Sequence, residues 1–272
     1  MTFLDIPSFL ETAVIAARAG GDVLMHYWRA LSPSQVAEKA PNDLVTEADR
    51  ASERAILALI HEHFPGHAIL AEESGLNGLE QRELPVWIVD PLDGTTNFVH
   101  GVPHFAVSIG VVVDRTPVCG VILDPVKGDL FTAGNGLGAE WNGRPCHVSR
   151  RPGLTGALLT TGFPFKAHHL LDAYLAIFHD VFLRAKAIRR PGAAALDLAY
   201  VGCGIFDGFF EFQLSPWDLA AGAAIVREAG GHITSMTGED DFLKTGDVVS
   251  GPAGPHAELL EVIGRYRSRW SE

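Results

Sequence analysis

Apolar residues recur at helical spacing from the start of the chain. Ile6, Leu10, Val14, Ala17, Gly21, Leu24 and Trp28 fall on one face and predict a helix over 5–30. A second helix is predicted over 46–63, with Ile56, Leu59, Ile60 and His63 on its inner face. The apolar runs then shorten. "HAILAEESG" and "VWIVDPLDG" read as short strands that each end in acidic residues, and further strands are predicted at 105–113, 118–124 and 129–133. "GNGLGAEWNGRP" (134–145) lies between strands and reads as a glycine-rich hairpin region, not as a nucleotide loop.

From "GALLTTGF" onward strands and helices alternate: a strand near 155–161, helices near 168–184 and 194–202, then a strand at 206–212. Over 215–231 a helix is well signalled, because Ser215 can cap it, Pro216 fits its first position and Gly230–Gly231 ends it. A last helix, 255–270, carries an apolar stripe at Leu259, Leu260, Val262 and Ile263. Mixed sheets covered by helices follow, an α/β class. A boundary near 150 divides an N-terminal α+β half (1–150) from a C-terminal α/β half (151–272), together one compact unit.

Composition excludes several function classes. At 47% hydrophobic and 20% charged, the 272 residues are those of an ordinary soluble chain with a sizeable core. A net charge of −12 argues against nucleic acid or an anionic membrane as partner, so an anionic substrate needs a local positive device. The three cysteines, Cys119, Cys146 and Cys203, lack C-x-x-C spacing, so no disulfide framework or zinc site is expected, and Cys203 in "VGCG" reads as a small packed residue. The N-terminus lacks a basic leader, and the longest apolar run, 105–113, is too short to span a bilayer, so the expected setting is the cytoplasm.

Candidate chemistry is acidic. Asp49 in "LVTEADR", Glu72 and Glu73 in "ILAEESG", Asp90 and Asp93 in "VDPLDG" and Asp218 in "SPWDLAAG" all stand at the end of a strand or the start of a helix. Such ends gather at one rim of an α/β sheet. Each has an ordinary explanation alone: a capping box for Asp49, solvated strand ends for Glu72 and Glu73, a turn for Asp93, a helix dipole for Asp218. Their joint occurrence does not, since gathered carboxylates repel unless a cation or proton intervenes. The available donors are hard oxygens, which suit magnesium, or manganese in its place, and not zinc. "GTTNF" after Asp93 adds a close-approach glycine and a helix start, a natural phosphate cradle. "HEH" (61–63) does not share a helix face, and His100 and His104, which flank a turn, read as structural.

"WIVDPLDGTTNFVHG" and "PWDLAAGAAIVREAGG" closely resemble the two signature segments of the inositol monophosphatase family of magnesium-dependent, lithium-sensitive phosphatases. "NDLVTEAD", "AEES" and "RRPGAAALDLAYV" match further segments in the same order, so the resemblance spans roughly 39–231. It implies a layered αβαβα sandwich, also that of fructose-1,6-bisphosphatase, and a homodimer. It implies two or three Mg2+ ions, the first on Glu72, Asp90 and the carbonyl of Leu92, the second on Asp90, Asp93 and Asp218, a third weakly held by Glu72 through water. Gly94 and Thr95 match phosphate contacts. Asp49 matches the acid that hydrogen-bonds Thr95, and with Glu72 they orient and deprotonate the attacking water. Asp93, Arg189, Gly192, Ala193, Ala194, Glu211 and Asp218 match the substrate side, with Glu73 as support and Lys39 matching a loop lysine. Ala193 departs from the pattern, where many relatives carry serine or threonine.

The implied reaction is hydrolysis of a small phosphate monoester by water, without a covalent phosphoenzyme, with inositol 1-phosphate the leading substrate. Histidinol phosphate and fructose 1,6-bisphosphate are alternatives. A phosphoadenosine nucleotidase is less favoured because the segment at "AEESG" lacks a long insertion, and a non-catalytic cation- or protein-binding module is the reading from another class.

Overall fold

The structure is a computed structural model that describes residues 4–40, 43–78 and 84–270; Asn42, which opens "NDLVTEAD", lies outside the described residues. Helices α1 (Ile6–Tyr27) and α2 (Glu47–His63) form where the periodicity predicts. α1 stops short of residue 30, because Trp28 turns to extended backbone and Arg29 adopts φ 61°. Between the helices runs a two-stranded hairpin, β1 (Val36–Ala40) and β2 (Asp43–Thr46). β1 is mostly exposed and β2 buries only Val45 and Thr46 at its end, so the hairpin displays no alternating core pattern in the sequence.

The larger sheet has eight strands: β3 (Ala68–Ala71), β4 (Gly75–Asn77), β5 (Val86–Asp93), β6 (Ala106–Val113), β7 (Thr116–Asp124), β8 (Asp129–Gly134), β9 (Gly138–Trp141) and β10 (Arg144–Pro145). Their order is β10-β9-β8-β7-β6-β5-β3-β4, with β3 and β5 parallel and every other neighbour antiparallel. β5 to β7 are buried on both faces, which is why they read as continuous apolar runs and not as alternation. One face packs on α1 and α2 through Phe9, Leu24, Ile56, Ile60, Trp87 and Val107.

The opposite face packs on α5 (Ala194–Gly202) and α6 (Pro216–Glu228), and its mid-strand glycines exist for that contact. A Cβ at Gly110 would fall 2.7 Å from Ala220 Cβ, and one at Gly120 only 2.3 Å from the Ala221 carbonyl oxygen. Beyond these helices lies a five-stranded sheet of β11 (Leu158–Thr161), β12 (Ala187–Arg189), β13 (Gly208–Glu211), β14 (His232–Thr234) and β15 (Val248–Gly251), ordered β12-β11-β13-β15-β14. Its inner face meets α5 and α6 through Leu198, Phe209, Leu219 and Val248. Its outer face carries α4 (Leu171–Phe182) and α8 (Ala253–Gly264), with Leu159, Tyr174, Phe210 and Leu259 between. The layers are therefore αβαβα, as the resemblance implies.

Two short helices, α3 (Thr95–Val99) and α7 (Phe242–Thr245), complete the α-helices among the described residues. The helix predicted over 255–270 is corrected to 253–264, followed by a separate 3-10 turn over Arg267–Arg269. Among the described residues no helix is long and apolar enough to cross a membrane. The ends of β3 and β5 and the starts of α5 and α6 meet at one rim, where the acidic residues lie.

Candidate functional site

A bulge explains the spacing of the central pair. Residues three apart on a regular strand point to opposite faces. In β5, Asp90 pairs with Ser108 and Asp93 with Ala106, so one extra residue is inserted and both carboxyl groups reach the same side. Pro91 suits the bulge because it has no N–H to leave unpaired, and its carbonyl accepts the Ser52 hydroxyl at 3.0 Å. Asp90 accepts the Leu92 N–H at 2.9 Å.

Helix starts bring in the remaining partners. Ser215 N–H donates to Asp218 at 2.7 Å in a capping box, fixing that side chain on the first turn of α6. Ser108 ties β6 to the same turn by donating to the Trp217 carbonyl at 3.1 Å. Asp93 accepts the Ala195 N–H at 2.8 Å, at the start of α5. Carboxylate oxygens of Asp90, Asp93 and Asp218 then lie within 4.8 Å of one another. Glu72, one residue past β3, faces the same space; its carboxylate accepts from Lys39 Nζ at 3.0 Å, and Glu73 pairs closely with the same ammonium.

Beside this cluster stands a part-buried hydrogen-bonded pair. Thr95 Oγ1 lies 3.1 Å from Asp49 Oδ1 and 3.1 Å from the Leu92 carbonyl. Asp49 is fully buried, and its other oxygen accepts the Thr46 N–H at 2.8 Å and the Thr46 hydroxyl at 2.6 Å. The capping box and the Thr95 contact are thus one arrangement: the cap fixes the carboxylate that Thr95 meets. Gly94 makes the turn at φ 91°, where a Cβ would crowd the carbonyls of His104 at 3.2 Å and Gly192 at 3.3 Å.

The electrostatics are those of unneutralised charge. Burial pushes Asp90 well above the ordinary carboxylate range, and the charges of Glu72, Asp93 and Asp218 add to it. Burial and Asp218 raise Asp93 to about 8 against the Ala195 N–H. Asp218 is raised to about 7 by burial, with Ser215 N–H opposing and Glu72 adding. Asp49 reaches about 7, through burial partly offset by Thr46. Burial also raises Glu72, though Lys39 holds it down. Lys39 itself is raised, because Glu72 and Glu73 outweigh the burial of its ammonium.

A cleft of about 660 Å³ opens over the cluster. Of the sequence-predicted residues, Glu72, Asp90, Leu92, Asp93, Gly94, Thr95, Gly192, Glu211 and Asp218 line it. Asp49, Ala193 and Ala194 lie behind that wall, and all three are buried. Arg189 is placed apart from the cleft. It is exposed, its Nη1 donates to the neighbouring Ile188 carbonyl at 3.1 Å, and its neighbour Arg190 lines the cleft instead, 5.2 Å from the Phe165 ring. Adjacent arginines at a strand end point opposite ways, and composition cannot say which one turns inward.

Sequence reasoning missed further parts. Lys166 bridges the mouth to Asp43 at 2.8 Å. Asn97 Nδ2 donates to the carbonyls of His104 at 2.8 Å and Pro191 at 3.0 Å, joining the turn after β5 to the loop before α5. Glu211 is raised to about 8 by burial, with Arg190 pulling against Asp218 and Asp93. Neither Lys166 nor Asn97 carries a local signal, since each partner is remote in sequence, whereas Glu211 was among the residues the resemblance implies. The donor set of Asp90, Asp93, Asp218 and Glu72 is all hard oxygen and mutually repelling, which fits divalent cations.

Comparisons with known proteins give the family and the fold. Residues 5–269 match the model of the inositol monophosphatase family. The chain is 47% identical over 257 residues to the Nus factor SuhB of Pseudomonas aeruginosa, covering 93% of this chain and 95% of that one. Among solved structures, the extragenic suppressor protein suhB of Bartonella henselae superposes with a TM-score of 0.90 at 39% identity, covering 94% and 98% of the two chains. The inositol monophosphatase of Anabaena (Nostoc) gives 0.86 at 39% identity, covering 96% and 97%.

Proposed function

The chain belongs to the inositol monophosphatase family, and from that premise we propose that it is a magnesium-dependent phosphate monoester hydrolase acting on inositol 1-phosphate. The observation that carries this reading is the convergence of three carboxylates within 4.8 Å of one another beside the Thr95–Asp49 pair. Asp90, Asp93, Asp218, Glu72 and the Leu92 carbonyl would hold two or three Mg2+ ions, with Mn2+ a possible substitute. Bound there, the ions supply the positive charge that a phosphate needs in so acidic a cleft, and they polarise water and the ester oxygen.

The chain's own residues do the rest. Gly94 and Thr95 hold the phosphate where β5 turns into α3. The Thr95 hydroxyl orients the attacking water and accepts its proton while passing its own to Asp49. Burial raises Asp49 above the ordinary carboxylate range, against its hydrogen bonds from Thr46, which favours its taking that proton. Water attacks in line, the ester bond to the alcohol oxygen breaks, and no side chain becomes phosphorylated. Glu211 and Arg190, on the far wall, meet the alcohol, with Gly192 shaping the floor.

Phosphate release from inositol 1-phosphate, histidinol phosphate, fructose 1,6-bisphosphate and phosphoadenosine phosphate, each with and without Mg2+, tests the reading. Magnesium-dependent release fastest from inositol 1-phosphate supports it. Faster release from another ester reassigns the substrate, and no release from any of them defeats the hydrolase itself.

Two further roles belong to the same proposal. The relatives named Nus factor favour a second role with a protein partner, separate from hydrolysis. In a cell whose own copy is replaced by the Asp90→Asn variant, a retained Nus phenotype without hydrolysis would support it, and joint loss of both would refute the separation. Self-association as a homodimer in the cytoplasm is supported by an apolar stripe on the outer face of α4, where Leu171, Leu175 and Phe182 are exposed. Sedimentation of the wild type as a monomer would remove the dimer.

A further inference from the structure

Away from the cleft, the fold joins two cysteines that stand 57 positions apart in sequence. Cys146 follows β10, and Cys203 caps the C-terminal end of α5. Their sulfurs are 2.9 Å apart, with the Cys203 S–H donating to Cys146. That is about 0.9 Å longer than the roughly 2.05 Å of a disulfide bond. Both thiols are half-buried and free, whereas Cys119 is buried in the core.

Backbone contacts build this approach. Cys203 N–H donates to the Ala199 carbonyl at 3.0 Å, which holds it on the last turn of α5. Cys146 N–H donates to Ala139 at 2.9 Å and Val148 N–H to Ala229 at 3.1 Å, which fix the following segment between β9 and the end of α6. Gly204 adopts φ 70°, and a Cβ there would come 2.9 Å from the His147 carbonyl and 3.1 Å from the Ser149 nitrogen. Only a glycine lets that segment lie on the helix end. Trp141, Val148 and Tyr200 pack on the same cluster as the two cysteines. Thiols held in this way have little conformational freedom left to lose on bonding.

We propose that Cys146 and Cys203 form a reversible disulfide, a modification site closed by a small disulfide oxidant such as oxidised glutathione. Donation from Cys203 lowers the Cys146 pKa against burial and the Glu140 charge, so Cys146 is the attacking thiolate. It attacks one glutathione sulfur, forming a mixed disulfide and releasing one glutathione thiolate. Cys203 then gives its proton to that thiolate and attacks the Cys146 sulfur, expelling the second glutathione. Two protein thiols are oxidised by two electrons, and one glutathione disulfide is reduced to two glutathiones. The bond staples the β9–β10 edge of the large sheet to α5, the helix whose other end holds Asp93 through Ala195.

The full-length chain is equilibrated with oxidised glutathione and then freed of it. Intact mass is expected to fall by about 2 Da, and a non-reducing peptide map is expected to join the peptides of Cys146 and Cys203. Closing a loop of this length is expected to raise the melting temperature by roughly 5–10 °C, reversed by dithiothreitol. Cys119→Ser should behave as wild type. Cys146→Ser and Cys203→Ser should each abolish the mass loss and the thermal shift, and Cys146→Ser alone decides this if Cys203→Ser does not fold. Stable glutathione adducts without the internal link, a link between two chains, or an unchanged melting temperature on oxidation would overturn the proposal.

Discussion

At Asp90 the physical demands of folding and of function pull in opposite directions. The side chain is 1% exposed and surrounded by three other acids, so without a cation its charge opposes the fold. Asp90→Asn removes that charge and keeps the shape. The metal-free variant is therefore expected to melt at or above the wild-type temperature, while turnover falls by about three orders of magnitude or more. An active Asp90→Asn protein would refute the assignment. Thr95 is a subtler case, because its hydroxyl matters and its shape does not. Thr95→Val should lower kcat by about 10²-fold or more with little change in KM, and Thr95→Ser should restore most of it. Equal rates for valine and serine would remove the proton path through Asp49. The two arginines divide in the same way: Arg190→Ala is expected to raise KM for the alcohol-bearing substrate several-fold, and Arg189→Ala to leave it within two-fold. Steady-state kinetics with both variants checks the reassignment, and an effect confined to Arg189 would reverse it.

Elements differ in how much of themselves they write into the chain. α1, α2, α6 and the strands β5 to β7 were legible because each buries a long apolar face, so the period survives in the sequence. β12, β14, β15 and α7 were not, since three or four residues hold at most two strand periods or about one helical turn, too short a run to establish either pattern. The β1–β2 hairpin escaped for another reason: β1 is mostly exposed and β2 buries only its two adjacent last residues, Val45 and Thr46, so neither strand carries an alternation to read. The site was legible in the same uneven way. Carboxylates announced by a proline, a glycine or a cap were found. Arg190, Asn97 and the Cys146–Cys203 pair depend on remote backbone and left no local mark. The turn between β5 and α3 offers an element-scale test. Gly94→Ala places a side chain at φ 91° against two carbonyls, and is expected to cost about 1–3 kcal/mol of stability. A calorimetric loss below that range, with kinetics intact, would show that the turn relaxes and that its stiffness does not serve the site.

For the whole molecule, the charge of −12 and the acidic cleft make stability a function of both pH and divalent ions. Carboxylates raised in the folded state bind protons on folding. Their share of stability is therefore full below the ordinary carboxylate range near 4 and lost as pH rises through their folded values. Those values are about 7 for Asp49 and Asp218 and about 8 for Asp93 and Glu211. The window follows directly: metal-stripped protein should melt progressively lower between about pH 5 and about pH 9. Magnesium acts on the same groups from the other side, because it favours the ionised carboxylates that protons would otherwise neutralise. At a hundred-fold excess over its dissociation constant one ion is worth about 2.7 kcal/mol. Added Mg2+ is thus expected to raise the melting temperature strongly at alkaline pH and weakly near pH 5, where protons already occupy the site. Calorimetry of stripped and reloaded protein across that range decides the matter. A melting temperature independent of pH in the stripped protein, or a magnesium effect equal at both ends, would mean that the converging acids neither repel one another nor hold the ion.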